Sequence, residues 1–131
     1  MRQIRFLVIF LVCINLPVAR LWAESKPKAV IEWKEMTFDF GEIPFEKPIQ
    51  ADFTFTNPGM IPLIISDVRT SCGCTVADYP KKPVGSGSSG TITVTFDAKS
   101  PGYFAKTITV FSNTEEGMTQ LYIKGVVVKE R

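Results

Sequence analysis

Two cysteines separated by a single residue, Cys72-Gly73-Cys74, are where this sequence has the atoms for covalent or metal chemistry. On an extended strand, residues i and i+2 point the same way, about 6.5–7 Å apart. A disulfide needs Cβ atoms nearer about 3.8 Å, so joining the pair requires a tight local bend. Gly73 is the residue able to permit that bend. A bridge closed over so short a ring would be strained, and therefore more oxidising and more easily reduced than a structural one. Three roles fit these atoms. The sulfurs can pack or bridge to pin the end of a strand, they can accept or donate disulfides, or two thiolates can hold a soft ion such as Cu(I) or Zn2+. The metal role lacks an obvious third or fourth ligand. Thiol location alone does not establish reactivity. No histidine or lysine adjoins the pair in sequence to favour a thiolate, which tilts the balance towards the structural role. Arg69 is the nearby cation, and its reach to Cys72 depends on the bend.

Other chemistry is sparse. The sequence holds no histidine, which removes Ser-His-Asp and Cys-His nucleophilic machinery and every His-containing zinc or copper site. Its carboxylates are scattered through strands and turns, and the only adjacent pair, Glu115-Glu116, sits in a Gly-containing turn. A glycosidase needs two carboxyls facing one cleft, and a solvated turn does not supply that. The stretch Gly85-Ser86-Gly87-Ser88-Ser89-Gly90 is rich in glycine, but a phosphate loop feeds a helix N-terminus and carries a lysine. This one runs into a strand pattern and reads as an inter-strand loop. No cofactor motif is present, and the expectation is a non-enzymatic protein.

The elements that must position the cysteines are strands. Gln50 to Thr56 alternates strictly, with Ala51, Phe53 and Phe55 on one face. Thr91 to Phe96 repeats the pattern, with Ile92, Val94 and Phe96 inward and three threonines outward. Period-two patterning in β-branched and aromatic residues marks strands with one face buried and one wet. Lys106 to Phe111 and Gln120 to Val128 are similarly rich in Thr, Ile, Val and Tyr, and shorter candidates are Ala29 to Trp33, Met36 to Phe40, Leu63 to Val68 and Thr75 to Ala77. Turns are predicted at Gly41 and Pro44, Asn57-Pro58-Gly59, Gly85 to Gly90, Ser100-Pro101-Gly102 and Asn113 to Gly117. No stretch follows a helical period. About seven to eight short strands in a domain of about 100 residues predicts an all-β, immunoglobulin-like antiparallel β-sandwich, with a small barrel as the other all-β solution. Cys72 and Cys74 are too close together to be the inter-sheet bridge of an antibody domain.

The N-terminus carries an export pattern. Arg2 and Arg5 precede an apolar run from Phe6 to Ile14, and Asn15, Pro17 and Arg20 interrupt it before Leu21-Trp22-Ala23. An apolar stretch of about 7–15 residues between a basic start and a small-residue exit is a signal peptide. A membrane span wants about 20 apolar residues. Cleavage after Ala23 leaves a flexible lead at residues 24–28 and a domain at residues 29–131. Cys13 follows Val12, where a lipidation signal wants a small residue, so it reads as part of the apolar run. Membrane attachment would require lipidation there. Of 15 Lys and Arg residues, Arg2, Arg5 and Arg20 leave with the signal, so against 13 acidic residues the net charge moves from +2 to −1. The basic pI of the full chain therefore implies no nucleic-acid partner, and no basic patch interleaved with aromatics exists. The expected location is periplasmic or secreted.

A resemblance runs through the same residues. Thr37-Phe38-Asp39-Phe40-Gly41-Glu42-Ile43, Phe53 to Gly59, Pro62 to Ile65, Ser71-Cys72-Gly73-Cys74-Thr75 and Lys124-Gly125-Val126 occur in this order. Together they resemble the bacterial secreted family known as domain of unknown function 1573, related to immunoglobulin-like modules of the Hydin and major-sperm-protein type. The likeness covers about Ile31 to Val128, departs in the loop at Val84-Gly85-Ser86-Gly87, and owes its specificity to the Ser-Cys-Gly-Cys-Thr element. It implies the fold and an exported location and carries no activity, because fold does not transfer function. The expectation is an exported module that binds a protein or cell-envelope component, with a partner strand adding to a sheet edge. The alternative is a thiol-disulfide or soft-metal handling protein centred on Cys72 and Cys74.

Overall fold

The computed structural model describes residues 26–129. The signal segment, its cleavage point at Ala23, Cys13 and the start of the lead lie outside the described residues. Eight strands and no helix form among those described: β1 (Glu32–Trp33), β2 (Thr37–Pro44), β3 (Ile49–Thr56), β4 (Ile65–Thr70), β5 (Thr75–Asp78), β6 (Ser89–Phe96), β7 (Gly102–Ser112) and β8 (Met118–Val128). They make two four-stranded sheets, ordered β1-β3-β6-β5 and β2-β8-β7-β4. The fold is an all-β immunoglobulin-like sandwich.

The alternation read from the sequence sets which faces meet. Ala51, Phe53 and Phe55 of β3 and Ile92, Val94 and Phe96 of β6 are all buried, and they face Phe104, Ile108, Val110, Leu121, Ile123 and Val127 of the other sheet. The in-register pairs of β3 and β6, such as Phe53 with Ile92 and Ala51 with Val94, place the apolar residues of both strands on one side. The threonines go to the other, where the Thr93 hydroxyl donates to Asp52 Oδ1 at 3.0 Å.

The structure departs from the expected strands in four places. One pairing is parallel: β2 runs alongside β8 in the same direction, while every other ladder is antiparallel. Antiparallel neighbours can be joined by a tight turn, but a parallel pair needs a long connection, and nearly the whole domain intervenes between β2 and β8. Side-chain periodicity is the same in both arrangements, so it could not report the direction. Secondly, Gly41 does not end a strand. It lies inside β2 at a bulge between Asp39 and Glu42, with φ of 65° and its N–H donated to Asp39 Oδ1 at 2.9 Å. Thirdly, Ala29 to Trp33 yields only the two residues of β1, with Ala29 making an isolated parallel bridge to Thr114. Finally, the strand expected at Leu63 to Val68 is displaced to Ile65–Thr70, and Leu63 pairs singly with Val84.

Candidate functional site

Cys72-Gly73-Cys74 occupies the passage from β4 to β5, which belong to different sheets. It is thus a crossover between two edge strands, and local hydrogen bonds fasten it to both sheets. Ser71 prolongs the ladder against β7: its N–H donates to the Thr107 carbonyl at 3.0 Å, and its Oγ accepts from the Thr107 N–H at 3.1 Å. On the far side, the Cys74 carbonyl accepts from the Asp97 N–H, just beyond β6, at 3.0 Å. Between these anchors the Thr70 hydroxyl lies 3.0 Å from both the Cys72 and Thr75 carbonyls, sharing its one proton across the turn. The Thr75 N–H closes the turn on the Cys72 carbonyl at 3.4 Å.

The bend brings the two Cα atoms to 5.3 Å, and the sulfurs of Cys72 and Cys74 form a disulfide. Both cysteines are half-buried, with Cys74 packed against the core cluster. Gly73 is exposed and does not take a left-handed φ, and a Cβ built on it would meet nothing within 4 Å. The bend therefore does not draw on glycine's special backbone freedom. Its surroundings are open, and the two cysteines beside it are each partly exposed.

Arg69 lies elsewhere. Its Nε donates to Asp67 Oδ2 at 3.0 Å, and its guanidinium sits 5.3 Å from the centre of the Phe111 ring. Those contacts hold it on the outer face of the sheet, with 74% of the side chain exposed. An exposed pair of this kind contributes little to stability.

Two residues that the sequence did not single out stand closer to the chemistry. Thr75 is buried, at 3% exposure, and its Oγ1 is 3.7 Å from the Cys72 sulfur and 3.7 Å from the Cys74 sulfur. Lys106, far away in the chain, shares with Cys74 a hollow of about 110 Å3 walled by Phe96, Pro101, Tyr103 and Phe104. Phe96 and Phe104 stack in its wall with ring centres 4.1 Å apart. Thr75 adjoins the cysteines in sequence, so its hydroxyl was a readable signal; the approach of Lys106 was not. Among the described residues no three His, Cys, Asp or Glu side chains gather closely enough to hold a metal ion.

The family model described as Protein of unknown function (DUF1573) matches residues 31–127. The chain belongs to that family. No curated protein matches the sequence. Among solved structures, the chain is similar to a protein of unknown function from Porphyromonas gingivalis W83, with a TM-score of 0.69, 18% identity and coverage of 82% of this chain. It spans about half, 51%, of that protein's length. It is also similar to the ASH / PapD-like domain of human CEP192, with a TM-score of 0.67, 10% identity and coverage of 89% of this chain and 99% of that one. A third similar structure is the YadV chaperone, with a TM-score of 0.53, 12% identity and coverage of 77% and 52% of the two chains. At such identities the likeness is one of fold.

Proposed function

We propose that this DUF1573 domain is an exported, non-enzymatic binding module that captures an extended segment of another protein at the free edge of β2. One observation carries the proposal. β2 is the longest edge strand of the sandwich, eight residues, and it is paired on one flank only, with β8.

The other edges offer less. β1 has two residues and β5 four, and the N–H and carbonyl of Thr75 in β5 are already engaged in the turn. In β4 the Val68 N–H is capped by Asp67 Oδ1 at 2.9 Å. Behind β2 the half-buried rings of Phe38 and Phe40 lie 4.8 Å apart along the seam between the sheets, and Phe40 reaches Phe104 at 6.3 Å. Asp39 and Glu42 stand exposed on the same strand. An added strand would gain main-chain hydrogen bonds from the edge and could cover this aromatic seam with alternate side chains. The fold likeness to a protein described as a chaperone supports a protein partner.

The test is site-specific photo-crosslinking in cells that export the protein, with the reactive side chain at Thr37 on the β2 edge or at Thr91 on the outer face of the opposite sheet. A discrete adduct from Thr37 and none from Thr91 is the expected result. Equal adducts from both positions, or none from either, would remove β2 as the binding edge.

A further inference from the structure

Buried hydroxyls are nearly always given a good partner, and Thr75 is not. Among the described residues its hydroxyl meets only the two sulfurs, at 3.7 Å each. A disulfide sulfur is a weak acceptor, whereas a thiolate is the charged form that hydrogen bonds and nearby cations favour. Thr75 is therefore poorly served while the bridge is closed and well served once it opens. It is fixed in place as the first residue of β5, and it lies equally far from both sulfurs, so it can donate to whichever becomes the thiolate.

Two independent features complete the site. Cys72 and Cys74 are each only half-buried on either side of the exposed Gly73, so the bridge sits at the surface where a thiolate in solvent can approach it. The hollow beside Cys74 presents aromatic walls, with Tyr103 72% exposed and Lys106 at the same opening. An apolar side chain adjoining an incoming cysteine would find cover there, and Asp97 lines the hollow together with Lys106, so the two charges offset each other.

We propose that Cys72–Cys74 is an exchangeable disulfide that oxidises a peptide dithiol, with Thr75 as the hydrogen-bond donor to the emerging thiolate and the hollow as the seat of an apolar residue next to the attacking cysteine. The bridge lies at the β4–β5 crossover, and β4 is at the opposite edge of its sheet from β2, while the hollow shares Phe104 with the aromatic seam behind β2. The redox equilibrium of the bridge is read without any partner at β2, so it stands or falls separately from capture at that edge. A substrate thiolate attacks the Cys74 sulfur, the Cys72–Cys74 bond breaks, and its electron pair leaves on Cys72, to which Thr75 donates. The second thiolate of the substrate then attacks its own sulfur in the mixed disulfide and releases Cys74 as a thiolate. The substrate loses two electrons and two protons, the cysteine pair gains two electrons, and the protons pass to the two released thiolates or to water. The transfer is stoichiometric in this chain.

The test equilibrates the mature protein with glutathione redox buffers, using wild type, Thr75→Val and Thr75→Ser, and follows far-UV circular dichroism in parallel. The wild-type bridge should open with the β-sheet spectrum unchanged. Thr75→Val, which keeps the shape and removes the donor, should shift the equilibrium constant towards the disulfide by about tenfold, the worth of one hydrogen bond to a charged group. Thr75→Ser should remain close to wild type. With synthetic two-cysteine peptides, a leucine-flanked peptide should react several-fold faster than a serine-flanked one, and Tyr103→Ala should abolish that preference. Reduction that occurs only together with loss of the β spectrum, or a Thr75→Val curve lying on that of wild type, would overturn the proposal. Equal rates for the two peptides would overturn the role given to the hollow.

Discussion

Asn57 shows how much one side chain can hold together. It is fully buried, and its Nδ2 donates to the Ile61 and Val84 carbonyls at 2.8 and 3.0 Å while its Oδ1 accepts from the Gly59 N–H at 3.0 Å. Its backbone adds bonds with Ser88 and Gly87. Two chain-distant loops are thus fastened through one amide. Asn57→Ala would leave the part-buried Ile61 carbonyl and Gly59 N–H without these bonds, while the Val84 carbonyl keeps the Leu63 N–H at 2.8 Å, and should cost about 2 kcal/mol, read as a lower urea midpoint with an unchanged slope. The bridge of Cys72 and Cys74 is a weaker constraint, since it closes a loop with a sequence separation of 2. Replacing both cysteines with serine should lower stability by only about 1.5 kcal/mol, because so short a loop removes little freedom from the unfolded chain. Gly125 is needed for closeness. A Cβ there would lie 2.9 Å from the Gly41 carbonyl oxygen of the neighbouring strand and 2.9 Å from the Phe104 ring. Gly125→Ala should accordingly cost about 1–3 kcal/mol by overpacking, measured by thermal unfolding.

At the scale of the elements, the two faces of a strand should respond very differently to the same truncation. Phe53 of β3 is 1% exposed, directly opposite Ile92 in the ladder. Phe53→Ala should cost about 3–5 kcal/mol, joining the lost transfer energy to a cavity. Thr93→Ala on the wet face of β6 gives up the exposed bond to Asp52 and should cost less than about 1 kcal/mol. Equal losses in denaturant titrations would mean that the faces of β3 and β6 are exchanged. β2 differs from both because it must serve as an edge. The bulge at Gly41 bends it, and Asp39 occupies one of its N–H groups, which limits uncontrolled pairing while leaving the edge available to a matched strand.

For the whole molecule, the proposed export makes a direct prediction. The mature chain should begin at Glu24, and intact-mass spectrometry of the exported protein measures this. Retention of Phe6 to Ile14, or a lipid on Cys13, would overturn a free periplasmic or secreted form. Ladders joining residues far apart in sequence, above all β2 with β8, tie the two ends of the domain together. Pairings distant in sequence outweigh local ones such as the β7–β8 hairpin, so refolding should be slower than for a helical protein of similar size, in the millisecond-to-second range by stopped-flow fluorescence of Trp33.

The sequence alone determined which residues face inward on β3 and β6, where most turns fall, and that Cys72 and Cys74 are the paired sulfurs of the domain. These are local properties: alternation follows from the pleat, and turn residues act through their own φ angles. Partner choice is not local. Whether β2 joins β8 in parallel, and whether β4 and β5 lie in one sheet or two, depends on how distant apolar faces cover one another, and period-two patterning is silent on both. The site followed the same division. Cys72, Gly73 and Cys74 could be named from their spacing, and Thr75 stood beside them unread. Arg69 is nearer to them in the chain than Lys106, yet strand pairing sends its guanidinium to Asp67 and Phe111, while the packing of β7 against the other sheet brings Lys106 to the hollow beside Cys74. Tertiary structure decided that exchange, because a side chain's neighbours across a sandwich are set by sheet order and not by distance along the chain.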